Sequence, residues 1–271
     1  MNIDNKYILL KDLLKEMGAV VIAYSGGVDS AFLLKVAVDV LGENAQAVLA
    51  VSPTYPSREF EKAKEVAATI GARLTIIETN EMEDDKFRSN PINRCYFCKS
   101  ELFTEITKLA QTNRYKNLVD GSNFDDLGDH RPGMKALKEQ GIRSPLQEAG
   151  LTKAEIRELS NRLGLPTWDK DALACLSSRF PYGETIDVKK LRMVDEIENF
   201  LFDLGFRNIR ARHQNTTLKI EVSPSSLSRF FEDQTRQKVV SKAKSLGYKY
   251  VTVDLEGYRQ GSMNEVIDSR Q

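Results

Sequence analysis

The sequence predicts an α/β protein: a doubly wound parallel sheet followed by a smaller α+β domain. Three observations support this prediction. Short apolar runs alternate with helically spaced apolar residues through the first part of the chain. A glycine-rich turn joins the first run directly to the first of these helices. The alternation stops near Gly183, where a different order begins. Strands that alternate with helices form parallel sheets with both faces covered.

The first domain, residues 1–183, begins with the amphipathic and charged helix MNIDNKYILLKDLLKEMG. Each later strand is a short apolar run, and the helices end at glycine or before proline. Residues 167–183 have no clear pattern and are expected to form an exposed site loop. Strands are predicted at 19–24, 45–51, 72–79 and 117–121, and helices at 28–42, 56–71, 95–112, 133–140 and 151–165.

The second domain, residues 184–271, is predicted as an α-β-β-α-β unit that serves substrate binding or oligomerisation. A long amphipathic helix comes first, two alternating strands follow, and a second helix leads to the last strand. The helices are predicted at 187–204 and 225–246, and the strands at 206–212, 216–222 and 249–255.

Composition and charge exclude several classes of protein. Lys plus Arg and Asp plus Glu each number 39, so no net charge attracts nucleic acid, and we expect no such partner. No apolar run approaches the ~20 residues that span a bilayer, and the first residues do not resemble an export signal. Three cysteines argue against a disulfide framework. We therefore expect a cytoplasmic protein without a membrane partner.

The turn after the first strand has the chemistry of a phosphate-binding loop. Two glycines let the backbone approach a ligand closely, and the N–H groups at the following helix start suit phosphate oxygens. The spacing differs from G-x-x-x-x-G-K-[ST]. The alternative is a plain strand-to-helix turn with capping residues. The ligand candidates are Ser25, Gly26, Gly27, Val28, Asp29 and Ser30, with Asp29 also expected to hold Mg²⁺.

These residues resemble the PP-loop of the ATP pyrophosphatase superfamily, which has the adenine nucleotide α-hydrolase-like fold. Members cleave ATP between its α and β phosphates and adenylylate an oxygen of the substrate. The resemblance implies that AVSPTY, with Ser52, lies near the adenine. It also implies that GSNFDD, with Ser122, Asn123, Asp125 and Asp126, lines the ribose and the reacting groups. A parallel sheet binds ligands at this same carboxyl edge.

The three thiols admit four interpretations. Cys95 and Cys98 form a C-x-x-C pair, and Cys175 lies far along the chain. They fit a structural zinc site completed by His130 or His213, a redox pair or buried apolar cysteines. In the fourth interpretation all three thiolates hold a [4Fe–4S] cluster and leave one iron open to present sulfide. We favour the fourth because it uses all three.

Four segments are similar to the LarE family over nearly all of residues 5–255: NRCYFCKSELF, GSNFDDLGDHRPGMKAL, SPLQEAGLTKAEIRELSNRLGLPTWDK and ALACLSSRFPYGETI. The resemblance implies an ATP-dependent sulfur insertase. It would adenylylate a carboxylate of a pyridinium dicarboxylate mononucleotide and convert it to a thiocarboxylate for the nickel-pincer cofactor of lactate racemase. Partners would be a sulfide source and other cofactor-biosynthesis proteins, and family members form homo-oligomers.

Two forms of sulfur transfer exist in that family. In one, the cysteine that corresponds to Cys175 gives up its own sulfur and becomes dehydroalanine. In the other, an added C-x-x-C completes a three-cysteine mount for an iron–sulfur cluster, and the enzyme turns over. Because it contains Cys95 and Cys98, the chain resembles the second form. Cys175 and Asp29 are the expected catalytic residues.

Three arginines are candidates for binding the phosphate and carboxylates of such a substrate. Arg179 follows Cys175 closely, and Arg210 and Arg212 alternate on a predicted strand, which puts them on one face. Guanidinium groups suit both kinds of anion; a solvated strand face is the structural alternative. Rival functions are a tRNA thiolase, an ammonia-using synthetase of the GMP or NAD type, and a nucleotide- or metal-binding module without catalysis.

Overall fold

The computed structural model describes residues 1–112, 115–128, 136–137, 139–171, 174–259 and 261–265. The chain divides into two units. Unit 1 consists of Met1–Phe87 and Ile92–Leu173, and unit 2 consists of Arg88–Pro91 and Ala174–Gln271. The functional boundary near Gly183 stays a prediction.

Unit 1 is built on a four-stranded parallel sheet, as the alternation of strands and helices predicts. The strand order is β3-β2-β1-β4. Because β4 pairs on the opposite side of β1 from β2, a topological switch point lies between β1 and β4, and its carboxyl edge is the expected ligand site. The strands are β1 (Val20–Ala23), β2 (Ala45–Val51), β3 (Arg73–Glu78) and β4 (Asn117–Asp120).

The helices of unit 1 agree with the predicted ones to within a few residues at each end. Most of the helix predicted at 133–140 lies outside the described residues. The long helices are α1 (Ile3–Met17), α2 (Val28–Leu41), α3 (Ser57–Ile70), α4 (Arg94–Thr112) and α5 (Lys153–Arg162). Short helical turns cover Gly42–Asn44, Glu81–Glu83, Asp85–Arg88, Phe124–Gly128 and Pro145–Glu148.

Both faces of the parallel sheet are covered by apolar side chains. Val20 and Ile22 pack in one buried cluster with Phe32 of α2. Val21, whose side chain points to the other face, packs in a second cluster with Phe103 of α4. This two-sided burial confirms the predicted doubly wound architecture.

Unit 2 has the predicted α-β-β-α-β order around a three-stranded sheet. The sheet order is β5-β6-β7, in which β5 runs antiparallel and β7 parallel to β6. The elements are α6 (Val188–Asp203), β5 (Arg210–Gln214), β6 (Thr217–Glu221), α7 (Asp233–Ser245) and β7 (Tyr250–Val253), with 3₁₀ turns at Leu176–Arg179, Pro224–Phe231 and Ser262–Asn264.

The single helix predicted at 225–246 is wrong. A 3₁₀ turn over Pro224–Phe231 ends at Glu232, whose extended backbone (φ −71°, ψ 125°) separates it from α7. Phe230 is buried and stacks on Phe206 with a centroid distance of 4.7 Å, which anchors the turn. In the described part of the chain, no helix is both long and apolar enough to cross a membrane.

Candidate functional site

The turn between β1 and α2 forms a narrow backbone cradle. Gly26 has φ +67°, and a Cβ on it would lie 2.5 Å from the Cβ of Ala63 on α3. Only glycine therefore fits at this position. Gly27 precedes the first residue of α2 and has no side chain to cap the helix, so the first-turn N–H groups are offered to another acceptor.

The two predicted hydroxyl ligands lie inside this turn and contact each other. Ser25 Oγ and Ser30 Oγ are 3.1 Å apart, and Ser30 Oγ also accepts a hydrogen bond from the Ser25 N–H at 3.2 Å. Ser30 is 4% exposed and donates to the Gly27 carbonyl oxygen at 3.3 Å. Its hydroxyl therefore closes the loop, while Ser25 is the more accessible of the two.

Three side chains that sequence reasoning missed lie on the outer side of the loop. Tyr55 Oη donates to the Ser25 carbonyl oxygen at 2.8 Å. Lys170 Nζ donates to the Gly26 carbonyl oxygen at 2.9 Å and lies 2.6 Å from Glu59 Oε2. Burial raises the pKa of Glu59, but the Lys170 partner outweighs it, and the pKa lies below its ordinary value.

The carboxyl end of β4 lies against the first turn of α2. A Cβ on Gly121 would be 2.9 Å from the backbone nitrogen of Ser30, so this close approach requires glycine. Asn123 Nδ2 consequently lies 3.4 Å from Asp29 Oδ1. The other oxygen of Asp29 forms an ion pair with Lys153 Nζ at 2.5 Å, a partner that the sequence did not indicate.

The remaining predicted residues of GSNFDD shape the loop that contains them. Ser122 Oγ donates to Asp120 Oδ2 at 2.5 Å, and Ser144 Oγ donates to Asp120 Oδ1 at 2.6 Å. Asp126 Oδ2 accepts from the Asn123 N–H at 2.9 Å. Asp125 Oδ2 accepts from the N–H of the first residue of α5 at 2.8 Å.

Ser52 lies directly after β2, at the same edge of the sheet. Its hydroxyl donates to Glu81 Oε1 and lies 2.9 Å from Thr54 Oγ1. Thr54 Oγ1 donates to the same Glu81 oxygen at 2.9 Å. Glu81 is 2% exposed. This buried carboxylate, which sequence reasoning missed, fixes the segment expected to contact the adenine.

The three thiols belong to different parts of the fold. Cys95 is exposed and Cys98 is partly exposed, both in the first turn and a half of α4 in unit 1. Cys175 is exposed and precedes the first 3₁₀ turn of unit 2. Across the described ranges, no three His, Cys, Asp or Glu side chains are grouped so that they could hold a metal ion.

Neither histidine considered for a zinc site stands ready as a ligand. His130 lies outside the described residues. His213 is 2% exposed, with Nδ1 3.1 Å from Tyr248 Oη and Nε2 3.3 Å from Glu184 Oε1. Burial lowers its pKa. The buried ring therefore serves the packing of unit 2.

Two of the three predicted substrate arginines are paired within unit 2. Arg179 donates to both Glu198 oxygens at 2.8 Å, and Arg212 donates to both Glu221 oxygens at 3.0 and 2.8 Å. Burial lowers the pKa of Arg179, but Glu198 outweighs it and the pKa is raised. Arg179 Nη1 also donates to the carbonyl oxygen of Cys175 at 3.1 Å, which fixes the backbone beside the thiol.

Arg210 is the arginine of this set that keeps an unbalanced charge. Its guanidinium lies 4.7 Å from the centre of the Tyr258 ring and donates to the Tyr258 hydroxyl at 3.2 Å. Among the described residues it forms no ion pair. Burial lowers its pKa, and the nearby Arg179 and Arg212 charges lower it further. An anionic ligand would relieve this repulsion.

Comparison with known proteins gives three informative matches. Residues 3–113 match a family model described as NAD synthase. The chain is 37% identical to the pyridinium-3,5-bisthiocarboxylic acid mononucleotide synthase of Lactiplantibacillus plantarum, over 95% of this chain and 93% of that protein. It is 46% identical to an uncharacterized protein of Synechocystis, over 98% and 99%. Identity to one of the subunits of the glutamine-hydrolyzing GMP synthase of Archaeoglobus fulgidus is 28%, over 60% and 56%.

Proposed function

The chain belongs to the LarE family of PP-loop enzymes, and we propose that it adenylylates a carboxylate of a pyridinium dicarboxylate mononucleotide with ATP and converts it to a thiocarboxylate. As an ATP-dependent sulfur transferase it would supply the sulfur-bearing precursor of a nickel-pincer cofactor. The near full-length match to a synthase named for a bisthiocarboxylic acid mononucleotide supports this substrate class.

The observation that carries the proposal is the backbone cradle of the phosphate loop. A Cβ at Gly26 would meet Ala63, and the start of α2 has no side-chain cap, so the loop suits the phosphates of ATP. Asp29 borders the cradle and supplies oxygens of the kind that Mg²⁺ prefers. Ser52, Ser122, Asn123 and Asp126 surround the same edge of the sheet as candidate contacts for the nucleoside.

The chemistry follows from the weakness of a carboxylate as an acyl donor. A carboxylate oxygen attacks the α-phosphorus of ATP, and pyrophosphate leaves, which gives an acyl-adenylate. A thiolate then attacks the carbonyl carbon, and AMP leaves. If the thiolate is Cys175, the resulting thioester releases the thiocarboxylate when its Cβ–S bond breaks and a base removes the Cα proton, which leaves dehydroalanine. Arg210 is the candidate to bind an anionic group of the substrate.

We further propose that Cys95, Cys98 and Cys175 hold a [4Fe–4S] cluster. Thiolates are the usual ligands of such clusters, and the exposure of Cys95 and Cys175 leaves their sulfurs accessible. When bound, the cluster would supply sulfide at its open iron and spare the Cys175 sulfur. Sacrifice of that sulfur is the alternative route for the same product.

The test is pyrophosphate release with ATP, Mg²⁺ and the pyridinium dicarboxylate mononucleotide, together with the masses of product and protein. We expect substrate-dependent pyrophosphate and a thiocarboxylate product. Cys175→Ala should still release pyrophosphate but form no thiocarboxylate, because adenylylation precedes sulfur transfer. Absence of pyrophosphate with this substrate contradicts the proposal, and sulfur transferred to tRNA instead would support the tRNA thiolase.

Three broader expectations accompany this function. A homo-oligomer, partner proteins of cofactor biosynthesis and a cytoplasmic location stay predictions. Gel filtration coupled to light scattering measures the first directly. The GMP-synthase alternative would form an amide from ammonia with all three cysteines replaced, so retention of activity in that triple variant would favour it.

A further inference from the structure

Two side chains from outside the phosphate loop hold two of its carbonyl groups. Tyr55 Oη donates to the Ser25 carbonyl oxygen at 2.8 Å. Lys170 Nζ donates to the Gly26 carbonyl oxygen at 2.9 Å. Lys170 is 144 residues further along the chain, so only the fold brings it to the loop.

Each of these hydrogen bonds fixes the direction of an N–H group. In a planar trans peptide, the carbonyl of one residue and the N–H of the next point in opposite directions. The bond from Tyr55 to Ser25 therefore sets the direction of the Gly26 N–H. In the same way, the bond from Lys170 to Gly26 sets the direction of the Gly27 N–H.

We propose that Lys170 and Tyr55 are positioning residues that aim the Gly26 and Gly27 amides at the phosphates of ATP. The inference rests on the proposed function, because it requires ATP in this loop. Glycine peptides rotate at little cost, and a rotated peptide would turn a carbonyl oxygen toward the phosphate, where like charges repel. The two external donors disfavour that rotation.

Lys170 is itself held rigidly and neutralised. Its ammonium lies 2.6 Å from Glu59 Oε2, and the two side chains are only 17% and 15% exposed. Arg157 of α5 donates to the backbone carbonyl oxygens of Trp168 at 2.8 Å and Lys170 at 2.7 Å, which anchors the segment that carries the lysine. A lysine whose charge is balanced by a carboxylate acts on the phosphate through the Gly26 peptide.

The chain offers a matched control for this ion pair. Lys62 Nζ lies 3.4 Å from the other oxygen of Glu59, but its side chain is 48% exposed and it extends from α3 into solvent. Lys62→Met removes a charge next to the same glutamate as Lys170→Met does. Of these two variants, only Lys170→Met also removes the donor to the loop. Tyr55→Phe removes the second donor and preserves the ring.

The experiment measures the dissociation constants of ATP with Mg²⁺, of pyrophosphate and of adenosine for the full chain and these variants. Lys170→Met should weaken ATP and pyrophosphate by about tenfold, the equivalent of one hydrogen bond to a charged ligand. Tyr55→Phe should weaken them several-fold, Lys62→Met by less than twofold, and Lys170→Arg should restore most of the affinity. Adenosine, which has no phosphate, should bind all of them equally.

Each other outcome overturns a defined statement. Equal ATP affinity in Lys170→Met and Lys62→Met, or an equal loss for adenosine and ATP, overturns the positioning role. Tyr55→Phe decides the question in the same way if Lys170→Met does not fold, as judged by its thermal unfolding. Failure of the unaltered chain to bind ATP overturns the proposed function and removes the basis of the inference with it.

Discussion

Gly26 is the residue on which the phosphate loop depends most directly. It combines a left-handed φ of +67° with a position where a Cβ would lie 2.5 Å from Ala63. Gly71, which ends α3, has a similar φ of +76°, but no heavy atom lies within 4 Å of its would-be Cβ. The two glycines therefore separate backbone strain from steric contact.

Gly71→Ala should lose about 1–2 kcal/mol of unfolding free energy from the left-handed backbone alone and bind ATP normally. Gly26→Ala should lose about 1–3 kcal/mol more, because Ala63 and α3 must shift, and should weaken ATP by more than tenfold. Urea unfolding and ATP titration measure both effects. Equal losses in the two variants would contradict the steric role of Gly26.

His213 makes the stability of unit 2 depend on pH. Burial lowers its pKa from the ordinary value of 6.5, although Glu184 partly offsets the shift. Below pH 6.5 the unfolded chain binds a proton that the folded chain does not, so stability falls as pH drops from 6.5 towards the lowered folded-state pKa. Above pH 6.5 this contribution stays constant.

The corresponding variant is His213→Gln, which cannot titrate. Its urea midpoint should fall less steeply than that of the unaltered chain between pH 7 and pH 5, with the largest difference at the acid end. The comparison is of slopes, because the substitution also changes packing against Tyr248. Parallel pH profiles would rule out His213 as the titrating group.

At the scale of elements, helix α5 connects local capping with the phosphate loop. Thr152 Oγ1 accepts from the Glu155 N–H, and a Glu155 oxygen accepts from the Thr152 N–H at 2.9 Å, which forms a capping box. The next residue, Lys153, reaches Asp29 at 2.5 Å. The start of this helix therefore positions the cation at the predicted magnesium ligand.

Thr152→Ala should destabilise the chain by about 1 kcal/mol, the usual value of a lost N-cap, and should raise the KM for ATP because Lys153 is no longer fixed. Thr152→Ser keeps the capping oxygen and is the control. Denaturant unfolding and steady-state kinetics provide the two readouts. If the alanine and serine variants behave alike, the cap does not support the site.

At the scale of the whole molecule, the proposed cluster draws its ligands from both units. Cys95 and Cys98 belong to unit 1 and Cys175 to unit 2. A three-cysteine mount predicts that iron content depends on every one of the three thiols. A C-x-x-C pair that bound metal alone would not depend on Cys175.

Protein purified without oxygen should therefore contain about four irons per chain with matching acid-labile sulfide. Alanine at Cys95, Cys98 or Cys175 should abolish the iron, whereas Ser100→Ala, on the same helix as the pair, should retain it. An iron-free anaerobic sample would indicate Cys175 as the sulfur donor. The spent protein would then have lost the mass of one sulfur.

The sequence by itself determined the features that are encoded locally. Apolar periodicity predicted the four parallel strands and their helices, and turn chemistry predicted the glycine-rich connection and the capping box at Thr152. Each depends on residues within a few positions of one another. The helix predicted at 225–246 fails for the same reason, because helical spacing does not reveal the extended residue Glu232 that divides it.

Only the tertiary structure decided which charges meet. Lys153 lies 124 residues from Asp29 and Lys170 lies 144 residues from Gly26, yet both pairs are in contact. Arg179 and Arg212, predicted as substrate ligands, are paired with glutamates, and Arg210 keeps its charge. Such pairings depend on strand order and burial, which set the distance between side chains, and a local pattern contains neither.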